Sequence, residues 1–161
     1  MIAQFRRWFR YECEVNELTL QSLETVPMEN REGADFKRAA AIFAHIVGAR
    51  RIWLERFGEV AASGAAMFPA DMTLESVRTK WLEVAQLWIA FLDRIDDARL
   101  LEKFEYTSLD AGRFSNSIEE VLTQLFGHAW YHRGQIAMLV KASGGQPAIT
   151  DYIYWCREPI G

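Results

Sequence analysis

No apolar run in this chain approaches the length of a bilayer-spanning helix, so a membrane is not an expected partner. Basic residues form no stripe. The net charge is −4 and the Arg6-Arg7 pair is too short to change the picture, so nucleic acid is not expected either. The first residues, Met1-Ile2-Ala3-Gln4-Phe5-Arg6-Arg7-Trp8, lack an uninterrupted apolar core and do not read as a signal peptide. Cysteine is scarce. Cys13 and Cys156 lie far apart, form no CxxC pair, and are expected as reduced thiols in a cytoplasmic protein. Nothing beside either clearly lowers a thiol pKa. No internal repeat, low-complexity tract or linker divides the 161 residues, a length that suits one domain over 1–161. With 50% hydrophobic and 25% charged residues, the composition is that of a globular protein.

Histidine is also scarce, and its placement is informative. There are three: His45, His128 and His132. The last two stand four residues apart in Gly127-His128-Ala129-Trp130-Tyr131-His132-Arg133-Gly134-Gln135, inside an expected long helix. A spacing of i, i+4 puts two side chains on one helix face, one turn apart. Two imidazoles so placed can share a metal ion, with nitrogens at roughly 2.0–2.1 Å from it. If His45 comes from a facing helix, three neutral imidazoles hold the ion and leave a coordination position open, as reactive sites do. The alternative is three separate histidines, each hydrogen-bonded to a carbonyl or hydroxyl.

Apolar spacing near 3.6 predicts four long helices. The first runs from about Ala3 to Glu24, stopping before Pro27. The second runs from about Asp35 to Phe57, with Ile42, His45/Ile46, Ala49 and Trp53 as its stripe and Gly58 as its stop. A loop containing Ser63, Gly64 and Pro69 follows. The third runs from about Thr73 to Asp97, with Trp81/Leu82, Ala85, Trp88/Ile89 and Leu92 on one face. The fourth starts at Ser117, where Ser117-Ile118-Glu119-Glu120 fits a capping box, and reaches about Ser143. Its stripe is Ile118, Val121/Leu122, Leu125, His128/Ala129, His132, Ile136 and Leu139, which turns both histidines inward. Buried imidazoles need partners, and a shared metal supplies one to all three. Lys103–Ser108 alternates like a strand, Asp110-Ala111-Gly112 reads as a turn and Arg113-Phe114-Ser115 as the return strand. The tail is read as a short helix capped near Thr150 or Asp151. The expected fold class is all-α, a four-helix bundle with a small hairpin and a short last helix. The six tryptophans are expected mostly in its core.

The segment His128–Ile136, followed by Gly144-Gly145-Gln146-Pro147 and Asp151-Tyr152-Ile153-Tyr154, resembles the C-terminal signature of the DinB-like family. The stretch Phe43-Ala44-His45-Ile46-Val47-Gly48-Ala49-Arg50-Arg51-Ile52-Trp53-Leu54 is similar to that family's second-helix pattern, a histidine followed eight residues later by an aromatic. The resemblance covers nearly the whole chain. It implies a four-helix bundle that binds a divalent metal through His45, His128 and His132, and a homodimer. Arg133, Gly134, Gln135 and Asp151 match positions the family often repeats. Gly134 is expected to allow close helix packing, and Arg133 to pair with an acid or cap the bundle. Many members carry a histidine and an asparagine where this chain has Gln124 and Gly127.

Two chemistries follow from the resemblance. Some relatives are thiol transferases, or isomerases that use a low-molecular-weight thiol as cofactor; others are metal-dependent hydrolases. An ion on three neutral imidazoles keeps its full charge and would lower the pKa of a bound water or thiol. HExxH is absent, since Ala129 follows His128, which argues against a zinc-protease mechanism. No residue stands out as a general base; Asp151 and Tyr154 are placed to approach the pocket from the tail, and Tyr131 on another side of its helix. A thiolate needs no base once formed, so thiol transfer to a small-molecule electrophile is favoured over hydrolysis. A non-catalytic, metal-stabilised binding module is the third reading. Imidazole suits zinc, nickel, copper and iron alike; the expected ion is zinc or nickel foremost, with iron or manganese as further options.

Overall fold

A computed structural model describes residues 1–64, 73–108 and 112–160. Its elements run α1 (Ile2–Glu24), a 3-10 turn (Met28–Asn30), α2 (Ala34–Arg56), α3 (Leu74–Arg94), α4 (Asp97–Leu101), β1 (Lys103–Thr107), β2 (Arg113–Ser117), α5 (Ile118–Ala142) and α6 (Tyr152–Cys156). The chain is mostly helical, with one two-stranded sheet among the described residues. None of the helices described is long and apolar enough to cross a membrane.

The four long helices match the expected segments to within a few residues. Helix α1 packs against α3 and α5, and α2 packs against the same two. Their inner faces close over Phe9, Leu23, Phe43, Leu54, Trp81, Trp88, Leu122 and Ile136. Burying each such side chain contributes roughly 1.5–3 kcal/mol. Of the tryptophans, Trp81 and Trp88 are buried, whereas Trp130 is exposed on the outer side of α5.

Helix ends follow local chemistry. The Thr73 hydroxyl accepts from the Ser76 amide at 3.2 Å and starts α3. The Ser117 hydroxyl accepts from the Glu120 amide (3.1 Å) while the Glu120 carboxylate accepts from the Ser117 amide (2.8 Å), completing the capping box of α5. The Ser117 amide, and then Asn116, hold the Glu120 carboxyl below its ordinary range.

Three expectations need correction. The third helix stops at Arg94, because Ile95 turns extended and Asp96 caps a separate short helix by accepting from the Arg99 amide at 2.9 Å. Leu82 and Ile89 are exposed; the buried face of α3 is Val77, Trp81, Val84/Ala85, Trp88 and Phe91/Leu92, one helical step away. The centre of α5's buried face holds Ala129, Arg133 and Ile136, so His128 and His132 lie at its edge, half-buried.

Strands β1 and β2 pair antiparallel, with Lys103 opposite Ser117 and Thr107 opposite Arg113. Asp110 and Ala111 of the expected turn, and Pro69 of the earlier loop, lie outside the described residues. The hairpin covers the C-terminal end of α2. Tyr106 and Phe104 meet Trp53 at centroid distances of 4.9 and 6.2 Å, and the Arg56 guanidinium lies 4.5 Å over Trp53. The tail folds back over α1, where the Tyr11 hydroxyl donates to the Thr150 carbonyl and its ring meets Tyr152 and Trp155 edge-on.

Candidate metal centre

Helices α2 and α5 form the seam that carries the three histidines. His45 stands midway along α2 and is buried; His128 and His132 occupy successive turns of α5 and are half-buried. The i, i+4 spacing stacks the latter two along α5, and the close packing of α2 brings the first across to them. His128 Nε2 lies 3.1 Å from His45 Nε2 and 3.0 Å from His132 Nε2. Ring planes meet at 66°, 85° and 84°, so the imidazoles converge edge-on through their nitrogens and do not stack.

This geometry fits a metal. Two nitrogens each roughly 2.0–2.1 Å from one ion, at ordinary ligand angles, stand about 2.8–3.4 Å apart. The three ligand atoms lie within 4.8 Å of one another, and among the described residues the cluster contains three imidazoles and no carboxylate. Separate hydrogen bonds to carbonyls or hydroxyls do not describe it, because the Nε2 atoms face each other. Three like acceptors in contact have at most a few protons to share, whereas an ion serves all three lone pairs.

Electrostatics favour the ligating form. Burial, then the neighbouring His132 and His45, and then Arg50, push His128 down from 6.5 to about 4. It is therefore neutral at physiological pH, with a lone pair available. Cys13 and Cys156 stand outside this cluster. Burial foremost, and Glu12 next, push the Cys13 thiol up to about 12, which makes it a poor nucleophile.

Two residues named in the sequence have contacts at the site that the sequence did not assign them. Gln135 Oε1 stands 2.7 Å from His132 Nδ1, and Gln135 Nε2 donates to the Tyr131 hydroxyl at 3.0 Å. Tyr131 was expected on another side of the helix, yet its ring centroid is 5.1 Å from that of His132. The spacings involved, i, i+3 from His132 to Gln135 and i, i+4 from Tyr131 to Gln135, were readable in the sequence as neighbours on a helix surface.

Other expected positions go elsewhere. Among the described residues Arg133 meets Asn16 and Tyr11, not an acid: it is buried, donates to Asn16 Oδ1 at 3.1 Å and lies 5.5 Å over the Tyr11 ring. Asp151 and Tyr154 line a groove against Val15 and Leu18 of α1, and none of the three histidines belongs to it. Gly134 does not serve close packing, since a Cβ there, or at Gly127, would have no atom within 4 Å.

Behind the seam lies a second polar cluster. Arg50 forms a two-pronged ion pair with Glu12, and both side chains are essentially inaccessible. Its guanidinium lies 4.7 Å over Phe126, 5.0 Å over Trp88 and 5.4 Å over Phe9, and its carbonyl accepts from Trp88 Nε1 at 3.0 Å. This pair ties α1 to α2 directly beneath the histidines.

Comparison with known proteins identifies the family of the chain. Protein DinB of Bacillus subtilis (strain 168) is 21% identical over 154 residues, covering 89% of this chain and 88% of that protein. No solved structure gives a significant match. The family model described as DinB family matches residues 1–158, nearly the full length over which the bundle and its histidine cluster are built, and the chain therefore belongs to the DinB family.

Proposed function

We propose that this protein binds one divalent metal ion through His45, His128 and His132 and uses it to transfer a low-molecular-weight thiol to a small electrophile. The observation that carries the reading is the convergence of three imidazoles, with His128 Nε2 3.1 and 3.0 Å from the Nε2 atoms of His45 and His132 and no carboxylate in the cluster among the described residues. When bound, the ion supplies Lewis acidity, lowering the pKa of a thiol at its remaining position. The thiol proton leaves to solvent, the sulfur–carbon bond forms, and the electron pair of the broken bond departs with the electrophile's leaving group. The histidines stay neutral and hold their lone pairs on one point. Aromatic and aliphatic packing behind them, including Phe126 and Ala129, keeps water from that side. Zinc and nickel are the favoured ions.

Hydrolysis is the second reading, supported by the same open position, which would accept water as readily as sulfur. It asks more of the protein, because a hydrolytic step gains from a general base, and the cluster offers none beyond its own ligands. A small-molecule substrate and a homodimer complete the proposal. Exposed Met138, 75% accessible on α5, is apolar surface that a second copy would cover.

Cobalt-loaded protein tests the main reading. Addition of a small thiol is expected to produce a sulfur-to-cobalt absorption band, and glutathione-like or sugar-linked thiols should then be consumed with a model electrophile. Turnover of an activated ester without any thiol response would favour hydrolysis instead.

A further inference from the structure

The side chain of Gln135 faces two groups at once. Its carbonyl oxygen lies 2.7 Å from His132 Nδ1, and its amide nitrogen donates to the Tyr131 hydroxyl at 3.0 Å. An amide oxygen can only accept, so His132 Nδ1 must carry the proton. That places the lone pair of His132 on Nε2, the atom that faces His128 Nε2 at 3.0 Å. The hydrogen bond at one ring nitrogen decides what the other can do.

We propose that Gln135 is a positioning residue of the metal centre: it holds His132 as its Nδ1–H tautomer, and with its other end it pins the Tyr131 hydroxyl beside the site. The inference rests on the metal-binding reading above. A free imidazole gains nothing from choosing Nδ1–H, so the tautomer needs an acceptor. Gln135 is one helical turn from His132, and the α-helix fixes their approach without help from a loop. The other orientation of the amide would aim an N–H at Nδ1 and force the proton onto Nε2. A proton there occupies the lone pair and abolishes ligation. The orientation with oxygen toward His132 is the one compatible with a bound ion.

The second bond of the amide has its own consequence. The Tyr131 oxygen accepts from Gln135, so the hydroxyl proton points away from that bond. Tyr131 is exposed, which leaves this proton available to a ligand arriving from solvent. A neutral amide can do both tasks, because it accepts at one end and donates at the other. A carboxylate could do only the first.

The test uses the full chain in its metal-free and zinc-loaded forms, with Gln135→Leu, Gln135→Glu and Tyr131→Phe variants. Long-range proton–nitrogen spectra of the metal-free protein at pH 7.5 report the His132 tautomer, and competition with a chromophoric chelator reports zinc affinity. Wild type is expected to show the proton on Nδ1. Gln135→Leu should move it toward Nε2 and weaken zinc by roughly 10–100-fold, the usual cost of removing a partner of a ligating histidine. Gln135→Glu should retain the tautomer and the affinity, since a carboxylate oxygen still accepts. Tyr131→Phe should leave both within about threefold of wild type, a change smaller than that expected from losing the ligand's own partner. Equal losses in Leu and Glu variants would show a packing role and overturn the inference. So would a wild type that binds zinc with His132 protonated on Nε2. A wild type that takes no zinc overturns the metal reading, and this inference with it.

Discussion

Helix α2 takes part in two polar clusters, one with α1 and one with α5, and they differ in what each holds. The Glu12–Arg50 pair, deep between α1 and α2, contains one anion and one cation, and aromatic rings cover the guanidinium. The chain supplies both charges, so the pair needs no counter-ion from outside. The histidine cluster at the α2–α5 seam contains three imidazole nitrogens, each an acceptor in the tautomer that can hold an ion. Two of its members are half-buried, which leaves a side open. A buried pair of opposite charges holds a fold together; a convergent set of like bases asks for an ion from outside. Helix α2 thus carries Arg50 of the ion pair and His45 of the histidine cluster a little over one turn apart.

The sharpest way to break the first cluster is Glu12→Ala, which leaves a buried guanidinium without its counter-charge. It is expected to destabilise the protein by about 3–5 kcal/mol in chemical denaturation. A loss under about 1 kcal/mol, the worth of an exposed pair, would show that this pair does not clamp the fold. The second cluster should respond to metal and not to mutation alone. Zinc at about 100 times its dissociation constant should add about 2.7 kcal/mol to wild-type stability, and a chelator should remove it. His45→Ala should show no zinc increment while its metal-free stability stays near that of wild type.

Acid should separate the clusters further. His128 is pushed down from 6.5 to about 4 in the folded chain, so between those values the unfolded chain binds the extra proton. Stability of the metal-free protein is full above pH 6.5 and declines as pH falls toward about 4. His128→Gln should flatten that part of a pH–stability curve measured by urea denaturation; an unchanged slope would refute the account. The smallest effect is expected at Gly134, where the Cβ space is open and the backbone helical. Gly134→Ala should stabilise by about 0.4–1 kcal/mol with zinc affinity unchanged. Destabilisation there would indicate that a partner surface covers this face.

The histidine cluster was legible in the sequence and the Glu12–Arg50 pair was not. Three histidines, two of them one turn apart, stand out because the residue type is scarce and its spacing matches a helix. Glu12 and Arg50 are common residues 38 positions apart, and no local pattern links them. Their pairing exists only once α1 and α2 pack. The same limit explains Arg133, whose partner Asn16 comes from the far end of the chain. Apolar periodicity located four long helices, because that pattern is local. It misplaced the edge of two buried faces, since Leu82 and Ile89 are as apolar as their neighbours and only the packing of α3 decides which side is wet. Histidines 128 and 132 moved from the centre of α5's inner face to its rim for the same reason, and that shift is what leaves the site open.

The most direct test is the metal content of the untagged protein beside its His132→Ala variant, measured by elemental analysis after reconstitution and desalting. The account predicts close to one divalent ion per chain in the wild type and almost none in the variant, with unchanged helical circular dichroism in both. A correctly folded wild type that retains no zinc, nickel or manganese would contradict it.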